Sequence, residues 1–400
     1  MVLVWVFGLE RRIVILFFAV VVMMFISVYQ YSWSLFADAF MAVFSWDTAV
    51  VGLAFTIFTY TATFIQPFSG FLADNYGARR VSMIASVICG FGLIFSSMVE
   101  SPLLLYLAYG FGGFGVGILY GVSTALAVKW FPEKRGFATG IVVFGFGSGA
   151  ALFNLIIQWL LSIYGLSFTL KILGLIMLLV TFSASLLYVY PERGVERSRP
   201  SFELGFNVRG MLSTWQWYLI YVSFTFTVAI VLVFAAQLKF LAKYFGISSY
   251  YLNLALTLFP VGNGLSRILA GFISDRIGRV KCMFIFYVLL GISTLALVFF
   301  GFNPILFVCL SFVVALFGGS PFALYPSIIG DYYGSRYATT NYGLTYTAKA
   351  WAGLISGWLT GYLYMVFDSY NQILLFLSFS SIVAGFSSLL LKPPNPSVKR

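Results

Sequence analysis

Apolar residues along the chain gather into about twelve runs, each near the ~20 residues that a helix needs to cross a bilayer. They lie at roughly 12–36, 48–72, 80–99, 102–128, 137–161, 167–190, 215–240, 249–273, 281–301, 304–329, 339–365 and 370–391. Each run predicts a membrane-spanning helix. The longest polar interruption, from Pro191 to about Thr214, carries Glu192, Arg193, Glu196, Arg197, Arg199, Glu203 and Arg209. It divides the chain into a six-helix bundle over 1–190, a cytoplasmic linker over 191–214 and a second six-helix bundle over 215–400. The first run follows Arg11-Arg12 and extends to about Leu35, too long for the core of a signal peptide and without a cleavage-like site. An uncleaved first helix is expected.

The two halves repeat one another. Gly70-Phe71-Leu72-Ala73-Asp74-Asn75-Tyr76-Gly77-Ala78-Arg79-Arg80 recurs 201 residues later as Gly271-Phe272-Ile273-Ser274-Asp275-Arg276-Ile277-Gly278-Arg279-Val280-Lys281, and Arg135 and Arg336 keep the same offset. Both copies follow the second run of their half, on the same side of the membrane. The repeats are therefore parallel, related by an axis along the membrane normal.

Composition agrees with the pattern. The chain is 61% hydrophobic and 9% charged, with a mean hydropathy of +0.98, whereas soluble domains carry ~25% charged residues. This is an all-α, multi-pass protein of the cell membrane. A net charge of +11 could suggest nucleic acid, but no basic amphipathic face or reading motif accompanies it. The charge instead orients the chain. With both termini cytoplasmic, 18 of the 23 Lys and Arg fall in inner segments, as the positive-inside rule requires. Lys171, Lys239 and Lys243 sit at outer ends, and all twelve acids lie in loops or at helix ends. Histidine is absent, and Cys89, Cys282 and Cys309 show neither metal-ligand spacing nor a disulfide framework. No metal and no cofactor is expected.

Two charges remain inside the apolar runs. Arg267 lies in the eighth and Lys349 in the eleventh, each without an acid beside it. An ionised group at membrane depth costs at least ~2.5–3.5 kcal/mol on insertion scales, and so marks function by default. Two cations without an internal anion make an anionic cargo the natural partner. Arginine supplies a planar fork for a carboxylate and lysine a mobile point charge. A structural cation bonded to carbonyls is the alternative for each. Subtracting the repeat offset takes Arg267 to Gln66 and Lys349 to Ser148, so the pair belongs to the second half alone.

The duplicated loop resembles the signature of the major facilitator superfamily, G-x-L-x-D-R-x-G-R-[RK], and the resemblance spans the full length. The first copy departs from it at Asn75 and Ala78; the second is more complete. The resemblance implies a cytoplasmic latch made by Asp74, Arg79, Arg80, Asp275, Arg276 and Arg279, formed in one conformer and broken in the other. Within the superfamily, Lys129 to Gly140, Tyr325 to Gly334 and the stretches around Arg267 and Lys349 are similar to the oxalate/formate antiporters and the related monocarboxylate porters. In that family a basic residue in each of helices 8 and 11 holds carboxylates, which implies this role for Arg267 and Lys349. The likeness also places Gln30, Tyr31 and Tyr120 on the facing wall, as ligand contacts or as satisfied interhelical contacts. Tyr346, one turn before Lys349, and Asn263, one turn before Arg267, complete the expected site. Oxalate-selective members crowd this site with aromatics from helix 10. Here Gly318-Gly319 align with that region, so a cargo larger than oxalate is expected.

Proton-coupled relatives carry an aspartate where this chain has Asn263, and a lysine in helix 1 that has no counterpart between Gln30 and the end of that run. Exchange of small carboxylates or their facilitated diffusion is expected, with a proton-coupled monocarboxylate symporter as the alternative. A receptor or intramembrane enzyme is the remote one; without His, buried acids or paired metal ligands, no enzyme is expected. Gly113, Gly117 and Gly121, then Gly145 and Gly149, form small-residue seams for close helix packing, not a nucleotide loop. The expected partners are the lipid bilayer and a small organic anion, not nucleic acid, and the protein is expected to be a monomer.

Overall fold

The computed structural model describes residues 2–131, 135–191, 205–334 and 338–394, without the side chains of 2–10, 74, 135–137 and 338–339. Asp74 of the expected latch and residues 192–204 of the expected linker lie outside this description. The described chain is helical, without a strand. In chain order the helices of the first half are α1 (Val2–Ile26), α2 (Val28–Tyr31), α3 (Trp33–Phe44), α4 (Thr48–Tyr76), α5 (Ala78–Ser96), α6 (Pro102–Trp130), α7 (Arg135–Ser148) and α8 (Ala150–Ser185). The second half has α9 (Val208–Leu212), α10 (Trp215–Tyr244), α11 (Ser249–Ile277), α12 (Arg279–Phe300), α13 (Pro304–Gly318), α14 (Pro321–Tyr333), α15 (Ala338–Tyr346), α16 (Ala348–Leu354), a π-helical turn over Ile355–Leu359, α17 (Thr360–Phe367) and α18 (Asn371–Ser388).

Ten helical stretches among the described residues are long and apolar enough to cross a membrane. One of them, Ala138–Ser185, is 48 residues long and turns at Gly165, whose φ of 73° leaves the helical region. The run from Ala338 to Phe367 is carried by four shorter helical pieces.

The duplication visible in sequence is repeated in the backbone. Gly77 and Gly278 both take a positive φ, 88° and 91°, and each closes one helix directly before the next begins. That conformation is open to glycine and strained for other residues, which explains the glycine of the duplicated loop. Thr48 and Ser249 open corresponding helices, and Ser45 and Gly246 both adopt left-handed turns. Elsewhere the starts are set by capping: Asn303 accepts hydrogen bonds from the N–H groups of Ile305 (3.0 Å) and Leu306 (3.1 Å), with Pro304 at the first helical position.

The glycine seams are packing surfaces. A methyl group at Gly113, Gly117 or Gly121 would collide with Thr61, Ala62 or Ser69 of α4, and one at Gly145 or Gly149 with Val20 or Met24 of α1. Between the halves, α4 packs on α16, the π turn and α17, α11 on α7 and α8, and α10 on α3. The closeness of this junction differs between its ends. Toward Asp38, Gly52, Gly357 and Gly361 leave no room for a side chain. Toward the duplicated loops, a methyl at Gly70, Gly140, Gly271 or Gly330 would meet nothing within 4 Å. The tightest approaches between the halves thus lie toward Asp38, while toward the duplicated loops a methyl on Gly343 would meet Pro67 of α4 at 3.3 Å.

Candidate functional site

Several helices interrupt their regular hydrogen bonding at one level of the bundle, and these breaks carry the site. Between α1 and α3 the chain breaks at Ser27 and Ser32, where Ser27 donates to the Met24 carbonyl (2.6 Å) and Ser32 to Asn154 Oδ1 (2.6 Å). The short α2 between them presents Gln30 and Tyr31, both buried. Ser320, at the break before α14, donates to the Phe317 carbonyl at 2.6 Å, and Thr347, at the break before α16, to the Leu344 carbonyl at 2.6 Å. Hydroxyls bonded back to the preceding turn bend helices, and broken helices at mid-membrane are tolerated where they line a cavity. Lys349 sits between the break at Thr347 and the π turn, itself a frequent companion of functional positions.

Arg267 is 5% exposed and only partly satisfied. Its Nη1 donates to the Val143 carbonyl of α7 (3.0 Å) and its Nη2 to Asn263 Oδ1 (3.2 Å), while Nε has no partner. The guanidinium lies 4.7 Å from the ring centre of Phe322. Asn263 Oδ1 also accepts from the Tyr31 hydroxyl at 2.9 Å, leaving Asn263 Nδ2 unpaired. One amide oxygen thus ties Arg267 to the opposite half.

Lys349, 6% exposed, pairs with no carboxylate among the described residues. The described ion pairs all involve Asp38, Asp275 or Asp331, and neither Arg267 nor Lys349 takes part in any of them. Its ammonium rests 5.9 Å from the ring centre of Phe146 and 5.6 Å from that of Tyr346, and its charged neighbour is Arg267, a like charge. Cation–π contacts contribute ~0.5–2 kcal/mol each. They soften the isolation of the ammonium without neutralising it.

These groups surround a cavity of about 10 Å³ lined by Gln30, Phe58, Ala62, Gln66, Val116, Gly117, Tyr120, Phe146, Tyr346 and Lys349. That is room for about one water molecule. Both polar atoms of the Gln30 amide are buried here without a partner, each such orphan costing ~1–3 kcal/mol. Of the residues expected from the sequence, Lys349, Gln30, Tyr120 and Tyr346 line this cavity. Arg267, Asn263 and Tyr31 form the adjoining network. Gln66 joins them as a residue not singled out as a ligand contact, although the repeat already pairs it with Arg267. Phe146 and Phe322 were also missed, and nothing in the sequence marks the Val143 carbonyl.

The expected lack of aromatics from the tenth run is only partly met. The tenth run does bring an aromatic to the site: after the break at Gly319-Ser320 the chain turns Phe322 against both Arg267 and Tyr346, the latter at 6.3 Å between ring centres. Phe322 lies just past Gly318-Gly319, where the break between α13 and α14 re-aims the next turn.

The latch residues sit apart from this centre. Arg279 pairs with Asp275 (2.5 Å) and with Asp331 at the end of α14 (3.3 Å). Arg276 lies 4.0 Å over Phe272 of its own helix, and Arg79 and Arg80 are exposed.

A helical bundle with ten membrane-length apolar stretches among the described residues, around a buried polar centre, defines a multi-pass protein of the cell membrane. More narrowly, the sequence model of the Major Facilitator Superfamily matches residues 13–236 and 218–400, and the chain belongs to that superfamily of transporters. It is 30% identical over 356 residues to the oxalate:formate antiporter of Oxalobacter formigenes, covering 88% of this chain and 84% of that protein. An uncharacterised 38 kDa protein of Thermoproteus tenax is 34% identical over 364 residues, 91% of each chain. A shorter match, 38% over 113 residues, joins 27% of the chain to 22% of monocarboxylate transporter 2 of Mesocricetus auratus.

Proposed function

We propose that this protein carries small carboxylate anions across the membrane by alternating access, in exchange or by facilitated diffusion. Twelve helices cross the bilayer, six in each half, with both termini and the arginine-rich loops on the cytoplasmic side. The observation that carries the reading is the pair Arg267 and Lys349, buried near one another without a carboxylate. Like charges in a desolvated site repel, so an anion between them relieves both. Arg267 grips one carboxylate with its fork, and Lys349 takes a second carboxylate or follows the first as the halves rock. Gln30, Gln66, Tyr120, Tyr346 and the Tyr31–Asn263 pair supply neutral donors around the cargo. The latch of Asp275, Arg276, Arg279 and, in the first half, Asp74, Arg79 and Arg80 re-forms when the cytoplasmic side closes.

Exchange is favoured over proton symport by Asn263. An amide there accepts from both Tyr31 and Arg267 but does not titrate, so the network lacks a carboxylate to carry a proton, which leaves Lys349 as the one candidate for the symport alternative. The Phe322 ring beside Arg267 favours a small, flat carboxylate such as oxalate or formate. A thermal-stability screen of carboxylates in detergent tests the reading. A ligand present at ~100 times its dissociation constant adds ~2.7 kcal/mol to the folded state. At least one small carboxylate should raise the melting temperature of the native protein and leave Lys349→Gln unmoved; equal stabilisation of both would remove the site.

A further inference from the structure

The segment that carries Lys349 is held from outside the cavity by a chain of polar side chains. At its break the N–H groups of Thr347 and Ala350 each reach back three residues, to the carbonyls of Leu344 (3.2 Å) and Thr347 (2.9 Å), a tighter turn than that of an α-helix. Thr347 Oγ1 donates to the same Leu344 carbonyl at 2.6 Å. The one hydroxyl hydrogen of Thr347 is used there, so in its 3.0 Å contact with Tyr221 of α10 the tyrosine hydroxyl donates and Thr347 Oγ1 accepts. Tyr221 in turn accepts from Trp351 Nε1 at 3.1 Å. The chain runs from Trp351 through Tyr221 and Thr347 to Leu344, and it grips the segment on both sides of Lys349.

Thr347 and Trp351 are one turn apart and share a face, whereas Lys349 lies between them and is turned to the cavity. Trp351 is 48% exposed on the outside of the bundle. A hydroxyl or indole N–H turned toward lipid costs free energy unless it is paired, and apolar residues at these positions would carry no such cost. Three polar groups gathered on this surface call for a reason, and the internal repeat supplies one. Subtracting 201 takes Tyr221, Thr347 and Trp351 to Val20, Phe146 and Ala150, just as it takes Lys349 to Ser148. The half without the cation lacks the chain as well.

We propose that Tyr221, Thr347 and Trp351 are positioning residues for Lys349 and give the site its preference for dicarboxylates. None of the three lines the cavity. By fixing the broken turn, the chain fixes the point from which the lysine side chain reaches inward, and so the place where its ammonium settles relative to the Arg267 fork. A cargo with two carboxylates meets both cations at once and depends on that separation. A monocarboxylate held by the Arg267 fork depends on it far less. The inference rests on the carboxylate-transport reading above.

The test is counterflow of labelled oxalate and of labelled formate in proteoliposomes by the native protein, Tyr221→Phe and Thr347→Val. Each variant removes one hydroxyl and nearly keeps the shape of the side chain. The oxalate concentration for half-maximal exchange should rise ~3–10-fold in either variant, the worth of one hydrogen bond, with maximal rates near native. The value for formate should change by less than about twofold on the same scale. The double variant should be no worse than either single one, because both break the same chain, and Thr347→Ser, which keeps the hydroxyl, should bind oxalate as the native protein does. Native oxalate values in both single variants, equal weakening of oxalate and formate, or additive losses in the double variant would each overturn the positioning role while leaving the transport reading intact. Oxalate exchange that survives Lys349→Gln unchanged would overturn the central-site reading itself, and the inference with it.

Discussion

The Arg267 guanidinium uses two of its three nitrogens on neutral acceptors, the Val143 carbonyl and the Asn263 amide, and its third has no partner. This leaves a cation held in place yet still under-satisfied, which is the condition for binding an anion and releasing it again. Lysine at this position would keep the charge but lose the fork and the contact with the Phe322 face. Truncating one partner of a buried charged pair costs ~2–5 kcal/mol, so Arg267→Lys should slow carboxylate counterflow by about 30-fold or more while the protein still inserts and folds. Near-native counterflow by this variant would mean that charge alone suffices. At this scale the sequence spoke clearly for the ionised residues, because a charge inside an apolar run is visible without coordinates. It was silent on Phe146, Phe322 and the Val143 carbonyl, since a ring or a backbone oxygen in such a run looks like its neighbours until the helix direction is known.

Among the elements, the segment bearing Lys349 is the least regular. It breaks at Thr347 and widens into a π turn at Ile355–Leu359, whose Gly357 presses on Gly52 and Thr56 of α4. A side chain on Gly357 must push these backbones apart, and overpacking of this kind costs ~1–3 kcal/mol. Gly357→Val should therefore shift the protein toward the conformer open at the Asp38 end, by ~5–150-fold in population. Faster maleimide labelling of Thr56→Cys, in a Cys309→Ser background that removes the exposed native thiol, reads this out, and an unchanged rate would show that the contact is not part of the closure. The positions of the helices were legible from hydropathy. Their interruptions were not, because Ser27, Ser32, Ser320 and Thr347 are hydroxyl residues of a kind that also occurs in unbroken helix. The turns at Gly77 and Gly278 were legible because only glycine takes their positive φ without strain, and the duplication marked both.

At the scale of the whole molecule, the tightest approaches between the two halves lie near Asp38, and the cavity at Lys349 measures about 10 Å³. Cargo of several heavy atoms enters only if the halves rock apart or the Lys349 and Gln30 side chains withdraw. Because Asn263 replaces a titratable group beside Arg267, a pH jump across proteoliposomes without counter-substrate should drive no uptake, whereas preloading with the same carboxylate should. Uptake driven by the pH jump alone would favour a proton symporter. The parallel duplication and the unpaired cations were both readable in sequence, but where the halves pack tightest depends on backbone approaches that no residue pattern encodes. The buried cations are the proposed seat of the cargo. Counterflow of labelled oxalate, formate, malonate, lactate and pyruvate by the native protein, Arg267→Gln and Lys349→Gln tests this directly. At least one anion should exchange through the native protein and through neither variant, and exchange by both variants at native rates would contradict it.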